Sequence, residues 1–254
     1  MITMAKQLPD DFDMYLLISV IMLFLMINYN MPLAQIYTGM IIILMLAYLV
    51  PIQFNLFRWI PLVKKDGSSL WMKVLVGAAF GFGFIQIYQY FTTTPMAAVF
   101  ATTIFGESEI LTKLVYSGLI PPVETIFFFV TILTWWAWKI GDNVNAISPF
   151  SAAGIKLMVL FGAVFVVFHA TAKGVDNNTD LFLTLIFGML SIGMILYFQE
   201  AIQAIFMHMT VNSFGMDVFP GIVTLISTYL IYIILGFASY YLFINKNKKV
   251  FTSI

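Results

Sequence analysis

The sequence predicts an all-α, polytopic membrane protein, folded as one bundle of about eight transmembrane helices over residues 1–254. Of the residues, 61% are hydrophobic and only 9% are charged, whereas a soluble domain carries about 25% charged residues. The apolar residues also come in runs of about 20, the length that crosses the hydrocarbon core of a bilayer. Twelve basic and twelve acidic residues leave no net charge, which argues against a nucleic-acid partner.

Eight segments are predicted to span the bilayer: 14–29, 33–51, 70–91, 115–139, 155–173, 181–198, 201–214 and 218–245. We interpret the first as a permanent span, because acidic residues precede it and no cleavage pattern follows it. Segment 201–214 is short, and we expect a partial or tilted helix packed inside the bundle. The long connection from Thr92 to Lys113 is expected to form a surface helix or a lid.

The distribution of basic residues predicts the orientation in the membrane. With eight spans, ten of the twelve basic residues fall on the side that holds both termini, and only Lys113 and Lys173 fall on the other side. Lys and Arg collect in cytoplasmic loops. The sequence therefore predicts an integral, multi-pass protein of the lipid bilayer with both termini in the cytoplasm.

Three ionisable side chains are predicted to lie inside spans, where a charge costs about 2.5–3.5 kcal/mol at the helix centre. They are Glu124, His169 and His208, on three different segments, and the other eleven acids fall in loops or at span ends. Asn212 follows His208 by four residues, which places both on one helix face. We expect these four residues to converge on one cavity within the membrane.

Each of these residues also has a purely structural interpretation. A histidine in a span is more often part of a helix–helix hydrogen bond than a catalyst, and Asn212 alone can join two helices. Glu124 can pair with a Lys or with a Gln, and Gln86 and Gln89 are the candidates on segment 70–91. The full set of residues, in this order, is more specific than any single member.

Two local patterns surround the histidines: Phe165-x-x-x-His169 and His208-x-x-x-Asn212. With Glu124 they resemble the intramembrane CAAX proteases and bacteriocin-processing enzymes, the CPBP or Abi family. Members carry Glu-Glu-x-x-x-Arg, Phe-x-x-x-His and His-x-x-x-Asn or Asp on separate transmembrane helices. The second and third patterns match in full, and the family-like core covers about residues 117–215.

The first motif departs from the family pattern. Glu124 aligns with the first Glu, which the family uses as the catalytic one, but Thr125 replaces the second Glu and Phe129 replaces the Arg. The missing Glu and Arg are expected to have served packing or substrate contacts. This departure is the reason for the alternative in which the protein is not an enzyme.

The resemblance implies a metal-independent endopeptidase that acts on a membrane peptide or protein and uses no cofactor. Glu124 and His169 would activate a water molecule, and His208 and Asn212 would donate hydrogen bonds to the oxyanion. A zinc site made from the two histidines and the Glu is the second choice. Cysteine catalysis is excluded, because the chain has no Cys.

Two alternatives belong to other functional classes. In the first alternative, the protein is a non-catalytic CPBP-like subunit that scaffolds a complex with other membrane subunits. In the second, it is a transporter with a proton relay through Glu124 and the histidines. The transporter ranks last, because the chain lacks paired broken helices in two matching halves.

Overall fold

The computed structural model describes residues 60–92, 120–134, 147–172 and 175–214, together with the single residues 21, 39, 118 and 136. These ranges contain helices and no strand, so the all-α prediction is confirmed for this part of the chain. Apart from the single residues 21 and 39, the predicted spans 14–29, 33–51 and 218–245 lie outside the described residues, as does the connection after Thr92. The described helices are α1 (Leu70–Phe91), α2 (Ile120–Thr134), α3 (Ala152–Ala172), α4 (Asn178–Phe198) and α5 (Ile202–Phe214).

Three of the described helices, α1, α3 and α4, are long and apolar enough to cross a membrane. They contain 22, 21 and 21 residues, so each is about 30 Å long, close to the thickness of the hydrocarbon core. The protein is therefore a membrane-embedded helical protein. The total of about eight spans and the single domain over residues 1–254 stay predictions.

The ends of α4 follow from local hydrogen bonds. The side chain of Asn177 accepts a hydrogen bond of 2.8 Å from the backbone N–H of Thr179 and caps the first turn. At the other end Gln199 adopts the left-handed conformation, with φ of 57°, and its N–H donates to the carbonyl oxygen of Ile195. This cap stops α4 and lets the chain reverse into α5 within three residues.

Helix α5 is enclosed by the rest of the bundle. Every residue from Ala201 to Val211 is buried, and its main neighbours are α1 and α4. The described part of α5 contains 13 residues and is about 20 Å long. Segment 201–214 is therefore helical and packed inside the bundle, whereas its character as a partial or tilted helix stays a prediction.

Two glycines, Gly77 and Gly81, lie one turn apart on α1 and let α5 pack directly on the α1 backbone. A Cβ atom at Gly77 would overlap the carbonyl oxygen of Gln203, and one at Gly81 would stand 2.6 Å from the Cβ of Thr210. Small residues at this spacing are typical of closely packed membrane helices. The close approach of α1 and α5 therefore depends on the absence of a Cβ atom at Gly77 and Gly81.

We expect Gly81→Ala to destabilise the protein and Gly83→Ala to leave it as stable or more stable. Both changes add the same methyl group to α1 and restrict the unfolded chain alike, but a Cβ at Gly83 meets nothing within 4 Å. The difference between the two variants therefore isolates the clash with α5, which should cost about 1–3 kcal/mol. Thermal midpoints in detergent micelles provide the measurement, and equal midpoints would show that α5 can move aside freely.

Candidate functional site

Glu124 lies at the centre of the candidate site, on α2. The helix is described from Ile120 onward, and Pro121 and Pro122 precede Glu124 in it. The Glu124 side chain has no exposed surface at all, with a relative accessibility of 0%. A carboxyl group is therefore held inside the helix bundle, as the sequence predicted for this residue.

The turn of α2 that follows Glu124 is wider than an α-helical turn. Residues Thr125–Thr131 form a π-helix, and the hydroxyl of Thr131 donates a hydrogen bond of 2.9 Å to the carbonyl oxygen of Ile126, five residues back. π-Helical turns are rare and occur frequently at functional sites. In this helix the wide turn begins at the residue next to the buried carboxyl.

His208 on α5 contacts two consecutive residues of α2 through its two ring nitrogens. Its Nε2 atom lies 3.4 Å from Oε2 of Glu124, and its Nδ1 atom lies 3.1 Å from Oγ1 of Thr125. The first distance is longer than an ordinary N–H···O hydrogen bond, so the Glu124–His208 contact is chiefly electrostatic. All three side chains are at most 3% exposed, which strengthens electrostatic interactions among them.

His169 on α3 is held by its own helix. Its Nδ1 atom lies 2.9 Å from the carbonyl oxygen of Phe165, one turn earlier. Because a carbonyl oxygen only accepts hydrogen bonds, Nδ1 carries the proton in this contact. The Nε2 atom is then the acceptor of the neutral ring, and His169 is half-buried.

Aromatic rings surround the two histidines. The ring of Phe165 lies 4.2 Å from that of His169 and 5.9 Å from that of His208, measured between centroids. Phe187 lies 4.8 Å from His208, and Phe129 packs on Phe165 at 5.1 Å. The residue that replaces the Arg of the family pattern is thus part of an apolar wall around the site.

The structure brings two of the four predicted site residues into direct contact, Glu124 and His208. The ring of Phe165 lies beside both His169 and His208, so the two histidines share one aromatic neighbour. Asn212 is half-buried on α5, one turn after His208. The convergence of all four residues on one cavity stays a prediction.

The glutamines proposed as structural partners of Glu124 lie elsewhere. Gln86 and Gln89 are both exposed on α1, whereas Tyr88 between them donates a hydrogen bond of 2.8 Å to Asp180 at the start of α4. The Glu124 carboxyl contacts the imidazole of His208. This arrangement favours the interpretation in which Glu124 and a histidine act together.

Sequence reasoning missed a second polar cluster at the other end of α5. Lys73 is 3% exposed and Glu200 is 1% exposed, and their Nζ and Oε2 atoms are 2.7 Å apart. Lys73 is one of the ten basic residues on the side predicted to hold both termini, and that distribution says nothing about its burial. The only signal in the sequence was that each lies within a few residues of a helix end, where polar side chains are common.

The loop before α1 completes this second cluster. Glu200 also accepts from the backbone N–H of Lys64 and from the side-chain amide of Gln203, and the Lys73 ammonium donates to the carbonyl oxygen of Lys64. Asp66 lies 3.2 Å from Lys73 at the exposed edge. Hydrogen bonds from the hydroxyl and backbone N–H of Ser68, together with Lys73, hold the pKa of Asp66 well below its usual range.

The described residues offer no ready-made metal centre. Within the described ranges, no three His, Asp or Glu side chains are grouped so that they can hold an ion. One nitrogen of His169 is already directed at a backbone carbonyl. The zinc version of the site stays a prediction.

The chain matches no protein-family model, no curated protein and no solved structure. The likeness to the CPBP family therefore rests on the local motifs around Glu124, His169 and His208. Any function must be argued from the geometry of these side chains.

Proposed function

We propose that the protein is an intramembrane, metal-independent endopeptidase of the CPBP type, with Glu124 as its general base. The observation that carries the proposal is the buried contact between the Glu124 carboxyl and the His208 imidazole, within a membrane-embedded helical protein. A carboxylate beside an imidazole is a common arrangement for proton transfer. Family membership, about eight spans and cytoplasmic termini are parts of the same proposal.

In this mechanism each side chain has one role. Glu124 accepts a proton from water while His169 positions that water through Nε2, and the water oxygen adds to the scissile carbonyl carbon. Once Glu124 holds that proton, the Nε2–H of His208 no longer faces a negative carboxylate, and it donates a hydrogen bond to the resulting oxyanion together with Asn212. The C–N bond then breaks, and the proton held by Glu124 passes to the departing amine.

Two features of the site support these roles. The Nε2 atom of His208 faces the carboxyl that must accept the proton, so a donor and a base lie side by side. The rings of Phe165 and Phe187 exclude water from the histidine. Donors in a water-poor site stabilise an oxyanion far more than donors in water do.

A second candidate function is favoured by the completeness of the burial. Glu124 and Phe129 are 0% exposed and Phe165 is 1% exposed, so a substrate or water molecule reaches Glu124 only after the helices part. In a non-catalytic subunit the same contact would attach α2 to α5, and the partners would be other membrane subunits. The two functions differ in whether the helices open.

The deciding experiment uses the full chain in phosphatidylcholine vesicles with a panel of single-span peptides, in water labelled with a heavy oxygen isotope. A protease incorporates one labelled oxygen into the new carboxyl terminus of each product, which mass spectrometry detects. Absence of any labelled product from the folded protein would favour the scaffold. Loss of activity with a metal chelator would support the zinc version instead.

Asn212→Ala is expected to lower the rate of peptide hydrolysis by about 10²–10³, the usual loss for one oxyanion donor. The neighbouring change Ser213→Ala is the matched control, because Ser213 is half-buried on the same helix turn and has no role in the mechanism. Its rate should stay close to that of the unaltered chain. Equal rates for the two variants would remove Asn212 from the oxyanion site.

A further inference from the structure

We infer that Thr125 is a positioning residue, whose hydroxyl holds the His208 ring with the Nε2 proton directed at Glu124. The inference rests on the proposed function in one respect, because it takes Glu124 in the ionised form that a general base requires. Its basis is the pair of contacts that His208 makes with α2, 3.1 Å to Thr125 and 3.4 Å to Glu124.

The chemistry of the two neighbours decides which nitrogen carries the proton. An ionised carboxylate only accepts hydrogen bonds, whereas a hydroxyl both donates and accepts. The ring is therefore best satisfied when Nε2–H points at Glu124 and Nδ1 accepts from the Thr125 hydroxyl. The opposite tautomer would place the lone pair of Nε2 against the negative carboxylate, which is repulsive in a buried site.

The same hydroxyl also suits the protonated ring. When His208 carries two protons, Nδ1 becomes a donor and the Thr125 hydroxyl turns to accept from it. The ring can therefore change its charge without rotating. Because Thr125 is 0% exposed and His208 is 3% exposed, water does not readily take over this task.

The backbone explains how one helix serves both ring nitrogens. Glu124 ends the α-helical turn, and Thr125 is the first residue of the π-helix. Consecutive residues of an α-helix point about 100° apart, yet both side chains contact the same imidazole. The α-helix changes to a π-helix at the point where these two residues contact the two ring nitrogens of His208.

A purely structural link between α2 and α5 makes a different prediction. It would lower stability when the hydroxyl is removed, but it would leave the protons of the ring where they are. The position of the protons is therefore the property to measure. The chain is well suited to this, because it contains only two histidines.

The experiment is nitrogen NMR of the full chain in micelles, with isotope-labelled histidine and the His169→Gln variant to assign the two rings. We expect His208 to carry its proton on Nε2 and to show a hydrogen-bonded Nδ1. Thr125→Val, which keeps the shape and removes the hydroxyl, should shift the Nδ1 signal to that of an unbonded acceptor. Thr125→Ser should restore it.

A proton on Nδ1 in the unaltered chain, or His208 signals unchanged by Thr125→Val, would overturn the inference. Unchanged His169 signals verify that the Thr125→Val variant is folded. If the His169 signals show that it is unfolded, Thr125→Ala is measured in its place. For a cleaving protein, Thr125→Val should lower kcat by about tenfold with little change in KM, the equivalent of one hydrogen bond. If His208 carries its proton on Nε2 but the protein cleaves no peptide, the proposed function is overturned and the inference about Thr125 stands.

Discussion

Glu124→Gln is expected to abolish peptide hydrolysis and to leave the helix bundle folded. Gln has nearly the shape of Glu but cannot take a proton from water, so the step that general-base catalysis accelerates by about 10²–10⁴ is lost. The contact with His208 is kept in altered form, because the side-chain amide oxygen still accepts a hydrogen bond. The initial rate of heavy-oxygen incorporation in vesicles measures the effect.

The control for this change is Gln86→Ala, since Gln86 is an exposed polar residue of α1, whereas the Glu124 carboxyl is buried on α2. Its rate should equal that of the unaltered chain. A full rate in Glu124→Gln would refute the mechanism. If Glu124→Gln lowers the thermal midpoint sharply while neither form hydrolyses any peptide, the Glu124–His208 contact serves helix attachment, as the scaffold function requires.

The largest expected effect on stability comes from the buried ion pair between Lys73 and Glu200. Removing one partner of such a pair leaves an uncompensated charge, which costs about 3–5 kcal/mol. For Glu200→Gln we expect about 3 kcal/mol, because Lys73 still donates to the carbonyl oxygen of Lys64. The free energy of unfolding in mixed micelles is the measurement.

The double variant Lys73→Met with Glu200→Gln tests the origin of this effect. Once both charges are gone, much of the lost stability should return, and the double-mutant cycle then gives the coupling energy. Asp66→Asn is the control at the exposed edge of the cluster, where the same ammonium is 3.2 Å away, and it should have a far smaller effect. Equal losses for Glu200→Gln and Asp66→Asn would show that burial does not govern the pair.

Run length alone predicted the long helices well. Segment 70–91 coincides with α1, Leu70–Phe91, because the polar residues before it act as a cap and lie outside the helix. Segment 181–198 misses the first turn of α4, which begins at Asn178. Asn, Thr and Asp are polar, so a search for apolar runs leaves them out. They nevertheless favour the first turn of a helix, because they cap it and interact with the helix dipole.

The candidate site was predictable only in part. The position of Asn212 relative to His208 follows from helical periodicity, and the burial of Glu124 follows from its apolar surroundings. The contact of Glu124 with His208 joins residues on separate helices, as does the Lys73–Glu200 pair, whose members are 127 residues apart. Local sequence patterns do not give the distances between side chains on different helices. The π-helix was not predicted either, because it is defined by hydrogen bonds between residues five apart and has no characteristic amino-acid composition.

The enclosure of α5 has a consequence for the biogenesis of the protein. A segment that carries Gln203, His208, Thr210 and Asn212 is too polar to partition readily into lipid by itself. We therefore expect it to take its place after α1 has been inserted, because α5 packs on the α1 backbone at Gly77 and Gly81. The residues of the candidate site on α5 would then be assembled late, and we expect no candidate site in a chain that is only partly inserted.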